Sequence, residues 1–431
     1  MNERDSLDDI DLLDLDRFAR DGAPHDWFTR LRAEAPVWRH PPRPGGADTR
    51  GFWVISSYPE VVALGRCPHV LSSDGEIGGV SGLGPDDEVQ IAQDRAAAGL
   101  GVGGVLGGAT AMLLTLDPPE HSAYRKVVNK GFTPRMIALL EPRLRDLTRG
   151  LLDAAGDTCD FTTDVAMPLP MRVIADMIGA PIEMHPDLQR WSNQAVAATD
   201  PEYCTDPSDM PQVLAAMSLM QAFQEIREQH EAEPADDLTT VLLEASVDGE
   251  SLTPARFKMF LFLLALAGNE TTRNALSHAV LAFTERPDEW QRLRSDRSLL
   301  PTAVEEVLRW ASPVLYFRRN AVAEISAGGE TIEPGDIVSL WYVSANRDET
   351  KFDDPFRFDV GRTPNEHAAF GGGGAHFCLG ASLARLEVRI VLEEMLDRYE
   401  SIELSGPVSR LRSNFLNGIK HLPVKLRGAQ G

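Results

Sequence analysis

Near the end of the chain, residues 370–380 read Phe-Gly-Gly-Gly-Gly-Ala-His-Phe-Cys-Leu-Gly and run directly into Leu379, Leu383, Leu386 and Ile390. No other stretch narrows the possible folds as far. The spacing i, i+4, i+7, i+11 is one apolar helix face, with Arg385 and Arg389 off it. A cysteine placed here faces the free backbone N–H groups and the positive dipole end of a helix, and both favour thiolate. Glycine-rich backbone before it lets a large flat ligand approach closely and lets amides aim at the sulfur. Cys378 is therefore a candidate metal ligand, although a buried cysteine taken alone is more often a small apolar core residue.

The 431-residue chain is 43% apolar and 25% charged, an ordinary globular composition with enough core to enclose a cofactor. With 42 Lys and Arg against 65 Asp and Glu, its formal charge of −23 repels nucleic acid and anionic membranes, and neither is expected as a partner. Cys67, Cys159, Cys204 and Cys378 lie far apart with no CxxC pair, which argues against a disulfide scaffold or structural zinc and fits a reducing cytoplasm. The longest apolar run, Met259–Ala267, falls well short of the roughly 20 residues that span a bilayer. The acidic N-terminal segment shows no apolar leader. A cytoplasmic protein without a membrane span is expected.

Residues 1–16 read as a flexible acidic tail and 17–431 as a single domain. Trp27, Leu31 and Ala35 predict a helix, Phe52–Ile55 a strand, and Pro59 starts another helix. From about 70 to 110 the chain is rich in glycine and reads as a long loop. Its Gly99–Gly104 stretch satisfies GxGxxG, but the helical-looking Glu88–Ala98 precedes it where a dinucleotide site needs a strand. Helical periodicity dominates from about 117 to 310. A strand-rich segment from about 314 to 342 follows, with a turn at Glu333–Asp336, and Asn417-Gly418 beside Ile419 predicts a tight hairpin. The fold class is mainly α with a smaller β portion.

Three further patterns carry chemistry. Thr253 as N-cap and Pro254 at the first position open a helix of roughly 30 residues, about 45 Å long, enough to cross the molecule. At its middle stand Ala267-Gly268-Asn269-Glu270-Thr271-Thr272. Interior glycine costs up to about 1 kcal/mol against alanine, so a functional reason or a close helix contact is required. Glu306 and Arg309 are spaced to pair on one helix face. His121 and Arg125, four apart after Asp117-Pro118-Pro119, can clasp a carboxylate.

Taken together, these residues resemble cytochrome P450 monooxygenases. Phe370–Gly380 follows the haem-loop pattern F-G-x-G-x-H-x-C-x-G with one extra glycine, a spacing some bacterial members share. Glu306-Val307-Leu308-Arg309, Arg362, the central-helix motif, residues 117–125 and Arg319-Asn320-Ala321 stand in the order and at the distances of that family, so the resemblance covers nearly all of residues 20–430. It implies the P450 fold, with haem b between the long central helix and the Cys-bearing loop and helix. Cys378 would be the axial thiolate and Phe370 would pack by the sulfur. His376, His121, Arg125 and Arg319 would meet the propionates, with Arg318 competing for the place of Arg319. Ala267 and Gly268 would lie beside the haem, Glu270 and Thr271 would deliver protons, and Thr272, about 100° round the helix, would matter less. Glu306, Arg309 and Arg362 would lock the loop structurally.

The implied reaction inserts one oxygen atom of O2 into an apolar substrate of steroid, fatty-acid or terpenoid type and reduces the other to water. Since no flavin- or nicotinamide-binding region is present, electrons would come from a ferredoxin and an NAD(P)H-dependent ferredoxin reductase. Arg125, Lys126, Lys130, Arg135, Arg385 and Arg389 would form a patch for an acidic ferredoxin. The substrate would touch Val102–Leu106, Leu264, Ala267, Val314–Phe317 and Phe415-Leu416. An H2O2-driven peroxygenase shares Cys378 but lacks the acid and hydroxyl pair. A non-enzymatic haem sensor or carrier has no need of one.

Overall fold

Thr253 accepts a hydrogen bond from the N–H of Arg256, Pro254 follows, and one helix then runs 32 residues from Pro254 to Glu285. The computed structural model describes residues 6–42, 50–75, 80–83, 112–196, 200–203, 210–247 and 249–428. Around the central helix pack Pro168–Met177, His185–Val196, Met210–Ala232, Leu300–Ala311 and Ala381–Arg398. Its second half is buried on every side, from Thr272 to Phe283, because it has neighbours all round and no solvent face to keep polar. The main apolar core joins this helix to the cysteine helix, Ala381–Arg398, and to Pro134–Ala155.

The β portion is peripheral. A five-stranded sheet runs in the order Val37–His40, Phe52–Ile55, Ile337–Trp341, Tyr316–Ala321, Leu71–Ser72. Trp341 faces Tyr316 and Val338 faces Arg319 across one antiparallel pair. A second sheet joins Tyr399–Leu404, Pro423–Gly428 and Thr158–Asp160. Among the described residues no helix is long and apolar enough to cross a membrane.

Two expectations change. The acidic start is not a solvated tail from residue 6 onward: Ile10, Leu12 and Leu13 are buried among Phe18, Phe28 and Trp341, and His40 Nε2 accepts from the N–H of Leu12 at 3.1 Å. The three apolar side chains hidden between aspartates outweigh the charge pattern. Asn417-Gly418 is not a two-residue hairpin turn, since Ser409–Arg410 pairs with Ile419–His421 across a longer loop. Asn417 instead donates from its amide to Ala311 O at 2.6 Å and from its backbone to Pro313 O at 2.9 Å. The 84–111 segment, with Gly99–Gly104 and Val102–Leu106, lies outside the described residues.

Candidate active site

All four glycines before Cys378 have positive φ: +96° at Gly371, +68° at Gly372, +111° at Gly373 and +81° at Gly374. That backbone is strained for any other residue. A Cβ on Gly374 would also stand 2.7 Å from Gly65 O, and one on Gly373 2.8 Å from Arg66 Nε. The extra glycine is thus part of a tight pack against the Tyr58–Gly65 helix. The N–H of Cys378 donates to Phe370 O at 3.0 Å, and Arg385 lies 4.6 Å over the Phe370 ring. Cys378 is accessible to water although protein surrounds it, as befits a residue opening onto an interior slot. Burial is the largest influence on the thiol and pushes it above its ordinary range, against the N–H of Gly380 and the charges of Arg125 and Arg385. The helix terminus alone therefore does not make a thiolate, and a bound metal cation would.

Beside the slot, His121 and His376 approach to 4.2 Å between ring centroids. Nδ1 of His121 and Nε2 of His376 are buried without a hydrogen-bond partner. Desolvation first, then neighbouring cations, lowers His376 to about 2 and His121 to about 4. Arg319 is buried, its pKa lowered chiefly by desolvation, and among the described residues it donates to Arg318 O alone, at 2.7 Å. Arg125 reaches the cysteine loop at Ala375 O, 2.9 Å, and at Phe377 O. Two imidazoles and two guanidiniums thus converge, while the nearby Asp117 carboxylate is occupied by Ser72 and Ser73. What the cluster lacks is an anion with several acceptor oxygens, and the two propionates of haem b fit that need. The fold also decides between neighbouring arginines: Arg318 is committed to Asn320 Oδ1 at 2.8 Å and Gly82 O at 3.1 Å, on the opposite face of the strand.

Across the slot, Ala267 is exposed in mid-helix and Leu263, Leu264 and Thr271 are half-buried. Thr271 Oγ1 donates to Ala267 O at 2.7 Å, which leaves its lone pairs to accept from a molecule in the slot. A Cβ at Gly268 would come 2.7 Å from Ile174 Cδ1, so the glycine allows a close contact to the Pro168–Met177 helix. Glu270 points into the protein and pairs with Arg273. Its carboxyl is raised by burial and lowered by that arginine.

Behind the loop, Glu306 holds Arg309 through two bonds of 2.7 and 2.8 Å. It also accepts from Arg362 at 3.2 Å, Asn365 at 3.1 Å and the N–H of Asp359 at 2.9 Å. Arg309 and Arg362 spend their remaining donors on the carbonyls of residues 346–357. This set is closed and touches no slot.

Sequence reasoning missed Asn274, buried with neither amide atom bonded. It lies seven residues past Ala267 and three past Thr271, on one face, and that spacing could have found it. Of the expected pocket lining, Leu315, Tyr316 and Leu416 are core residues, while Val314, Phe317 and Phe415 are half-buried. The basic patch is smaller than charge counting implied. Arg385 pairs with Glu305 at 2.6 Å and Arg389 with Glu141 at 2.7 Å; Lys126, Lys130 and Arg135 remain exposed.

The family profile of cytochrome P450 matches residues 210–426, and this chain belongs to that family. It is a haem-thiolate monooxygenase that uses O2 on an apolar substrate. It is 38% identical to the methyl-branched lipid omega-hydroxylase of Mycobacterium bovis over 97% of this chain and 94% of that one. It is 37% identical to the steroid C26-monooxygenase of Rhodococcus jostii over 98% and 86%. Among solved structures, a Mycobacterium marinum cytochrome P450 in complex with pseudoionone superposes with a TM-score of 0.82 at 34% identity, covering 93% of this chain and 94% of that one.

Proposed function

We propose that this protein hydroxylates the terminal, methyl-branched end of an apolar chain in a lipid, steroid or terpenoid-type substrate, in the cytoplasm, with electrons from a ferredoxin and its NAD(P)H-dependent reductase. The observation that carries the reading is the donor cluster beside Cys378, two imidazoles each with an unbonded ring nitrogen and two arginines, together with the exposure of Cys378 and of Ala267 in mid-helix. The names of the lipid and steroid relatives support the position of attack, since both describe oxidation at a chain end.

Cys378 would ligate the haem iron through its thiolate, and His121, Arg125, Arg319 and His376 would hold the propionates. When bound, the haem would supply oxygen activation. The chain's own part is to orient substrate against apolar Leu264 and Phe317, to limit water, and to move protons. Thr271 Oγ1, already donating to Ala267 O, accepts from an ordered water and fixes it. Glu270 recharges that water after a rotamer change that frees it from Arg273, so its proton supply is gated by the ion pair.

Cys378→His should abolish the thiolate-type absorption of the reduced CO complex, and its survival would remove Cys378 as ligand. Thr271→Ala should keep haem, the CO band and substrate affinity while NADH consumption is diverted to H2O2, lowering product per NADH by roughly 10²-fold or more. Spin-shift titration with branched fatty acids, steroids and terpenes identifies the class. Turnover with H2O2 but not with NADH and a surrogate ferredoxin system would replace the reading by a peroxygenase.

A further inference from the structure

Five glutamates are buried among the described residues: Glu270, Glu289, Glu306, Glu387 and Glu394. Four have an arginine: Arg273 for Glu270, Arg292 for Glu289, Arg309 and Arg362 for Glu306, and Arg145 and Arg149 for Glu394. Glu387 has none. Its one hydrogen bond comes from Thr272 Oγ1, which donates to Oε2 at 3.1 Å. The cysteine helix is flanked by Pro134–Ala155, the central helix and Leu300–Ala311. Arg145, Arg149, Arg273, Arg309, Arg385 and Arg389 on these elements are each engaged with another carboxylate: Arg145 and Arg389 with Glu141 and Glu393, Arg149 with Glu394, Arg273 with Glu270, Arg309 with Glu306, Arg385 with Glu305.

Thr272 gives a second, independent observation. In a helix the default partner of a threonine hydroxyl is the carbonyl four residues back, and Thr271 and Ser277 of the same helix make that bond. Thr272 instead reaches across to the cysteine helix. A hydroxyl donates one proton, so a charged carboxylate would keep most of its acceptor sites empty in an apolar setting. A protonated carboxyl asks for far less.

We infer that Glu387 is a positioning residue held as a neutral carboxylic acid, whose bond to Thr272 fixes the central helix against the helix that begins just after Cys378. The inference rests on the proposed roles of Cys378 and Thr271, because Thr272 adjoins Thr271 and Glu387 lies nine residues beyond Cys378. The bond therefore sets where the two walls of the slot stand relative to each other. Burial, opposed only by Thr272, raises this carboxyl to about 8. Thr272 accordingly matters more than its direction away from the slot implied.

The test compares haem-loaded wild type with E387Q, E387A and T272V. Infrared difference spectra of wild type minus E387Q at neutral pH should show a carboxylic-acid carbonyl stretch; carboxylate bands alone would overturn the inference. E387Q, which still offers a carbonyl oxygen to Thr272, should keep the CO band and the yield of product per NADH within about twofold. E387A and T272V should each lower that yield roughly tenfold, since displacement of a catalytic group by about 1 Å can cost on the order of 10²-fold, and the double variant should be no worse than E387A. Unchanged yields in T272V, or additive losses in the double variant, would also overturn it. Loss of the thiolate CO band from wild type would count against Cys378 instead. Should E387A not fold, E387Q and T272V still decide.

Discussion

Two buried clusters of arginine stand close to the cysteine loop and differ in one respect. In the Glu306–Arg309–Arg362 set both guanidiniums reach the Glu306 carboxylate and nearly every donor has an acceptor. In the His121–Arg125–Arg319–His376 set no carboxylate pairs with either arginine among the described residues, two imidazole nitrogens are unbonded, and both imidazoles are forced neutral. Burial of charge is costly in either place. The first set offsets that cost within the chain, so it builds the fold. The second can be offset only from outside, so it marks where a ligand's carboxylates go. Completeness of hydrogen bonding, more than residue type, separates scaffold from binding site.

The largest effect that could break this contrast is in the closed set. Glu306→Gln leaves Arg309 and Arg362 without a counter-charge and should cost about 3–5 kcal/mol, a large share of a total of about 5–15 kcal/mol. Urea unfolding measures it, and a loss under 1 kcal/mol would show that the network is decorative.

Arg319→Leu should behave in the opposite way. Without haem it removes an uncompensated buried charge, so the apoprotein should be as stable or up to about 1 kcal/mol more stable. With haem, transfer to a scavenging apoprotein should be roughly tenfold faster or more, because charge-assisted bonds to a propionate are gone. An apoprotein weakened as much as by Glu306→Gln would erase the distinction.

The same cluster dictates a pH response. Both imidazoles stay neutral when folded but take up protons when unfolded. The unfolded chain therefore binds more protons below the ordinary histidine value of 6.5, down to about 4 for His121 and about 2 for His376. Apoprotein stability should fall on acidification through that window. The slope should flatten in His121→Gln/His376→Gln, and shrink when haem carboxylates favour the charged imidazoles. Denaturant midpoints between pH 7 and pH 4 measure it, and an equal slope in the double variant would exclude these histidines.

The smallest effect is at the surface. Lys126→Glu/Lys130→Glu should slow electron transfer from an acidic ferredoxin roughly 3- to 10-fold at low salt and hardly at all at high salt. Charge reversal at Arg385 or Arg389 should act mainly through stability, since those arginines already serve Glu305, Glu141 and Glu393.

What the sequence by itself determined was what adjacent residues impose on the backbone. Thr253-Pro254 set the start of the central helix, four glycines set four positive φ values before Cys378, and the Leu383–Ile390 spacing set the buried face of the helix after it. These signals are local: a cap, a ring closure or a missing Cβ acts within one turn. Only the tertiary structure decided which partner each polar group has. It chose Arg319 over Arg318, turned Gly268 toward Ile174, closed Glu270 on Arg273, and gave Glu387 a hydroxyl where its four buried counterparts have arginine. It also tucked Ile10, Leu12 and Leu13 under the sheet and made Asn417 a tether. Such choices depend on groups up to hundreds of residues apart meeting in a low-dielectric interior. There the cost of an unpaired atom exceeds any local preference.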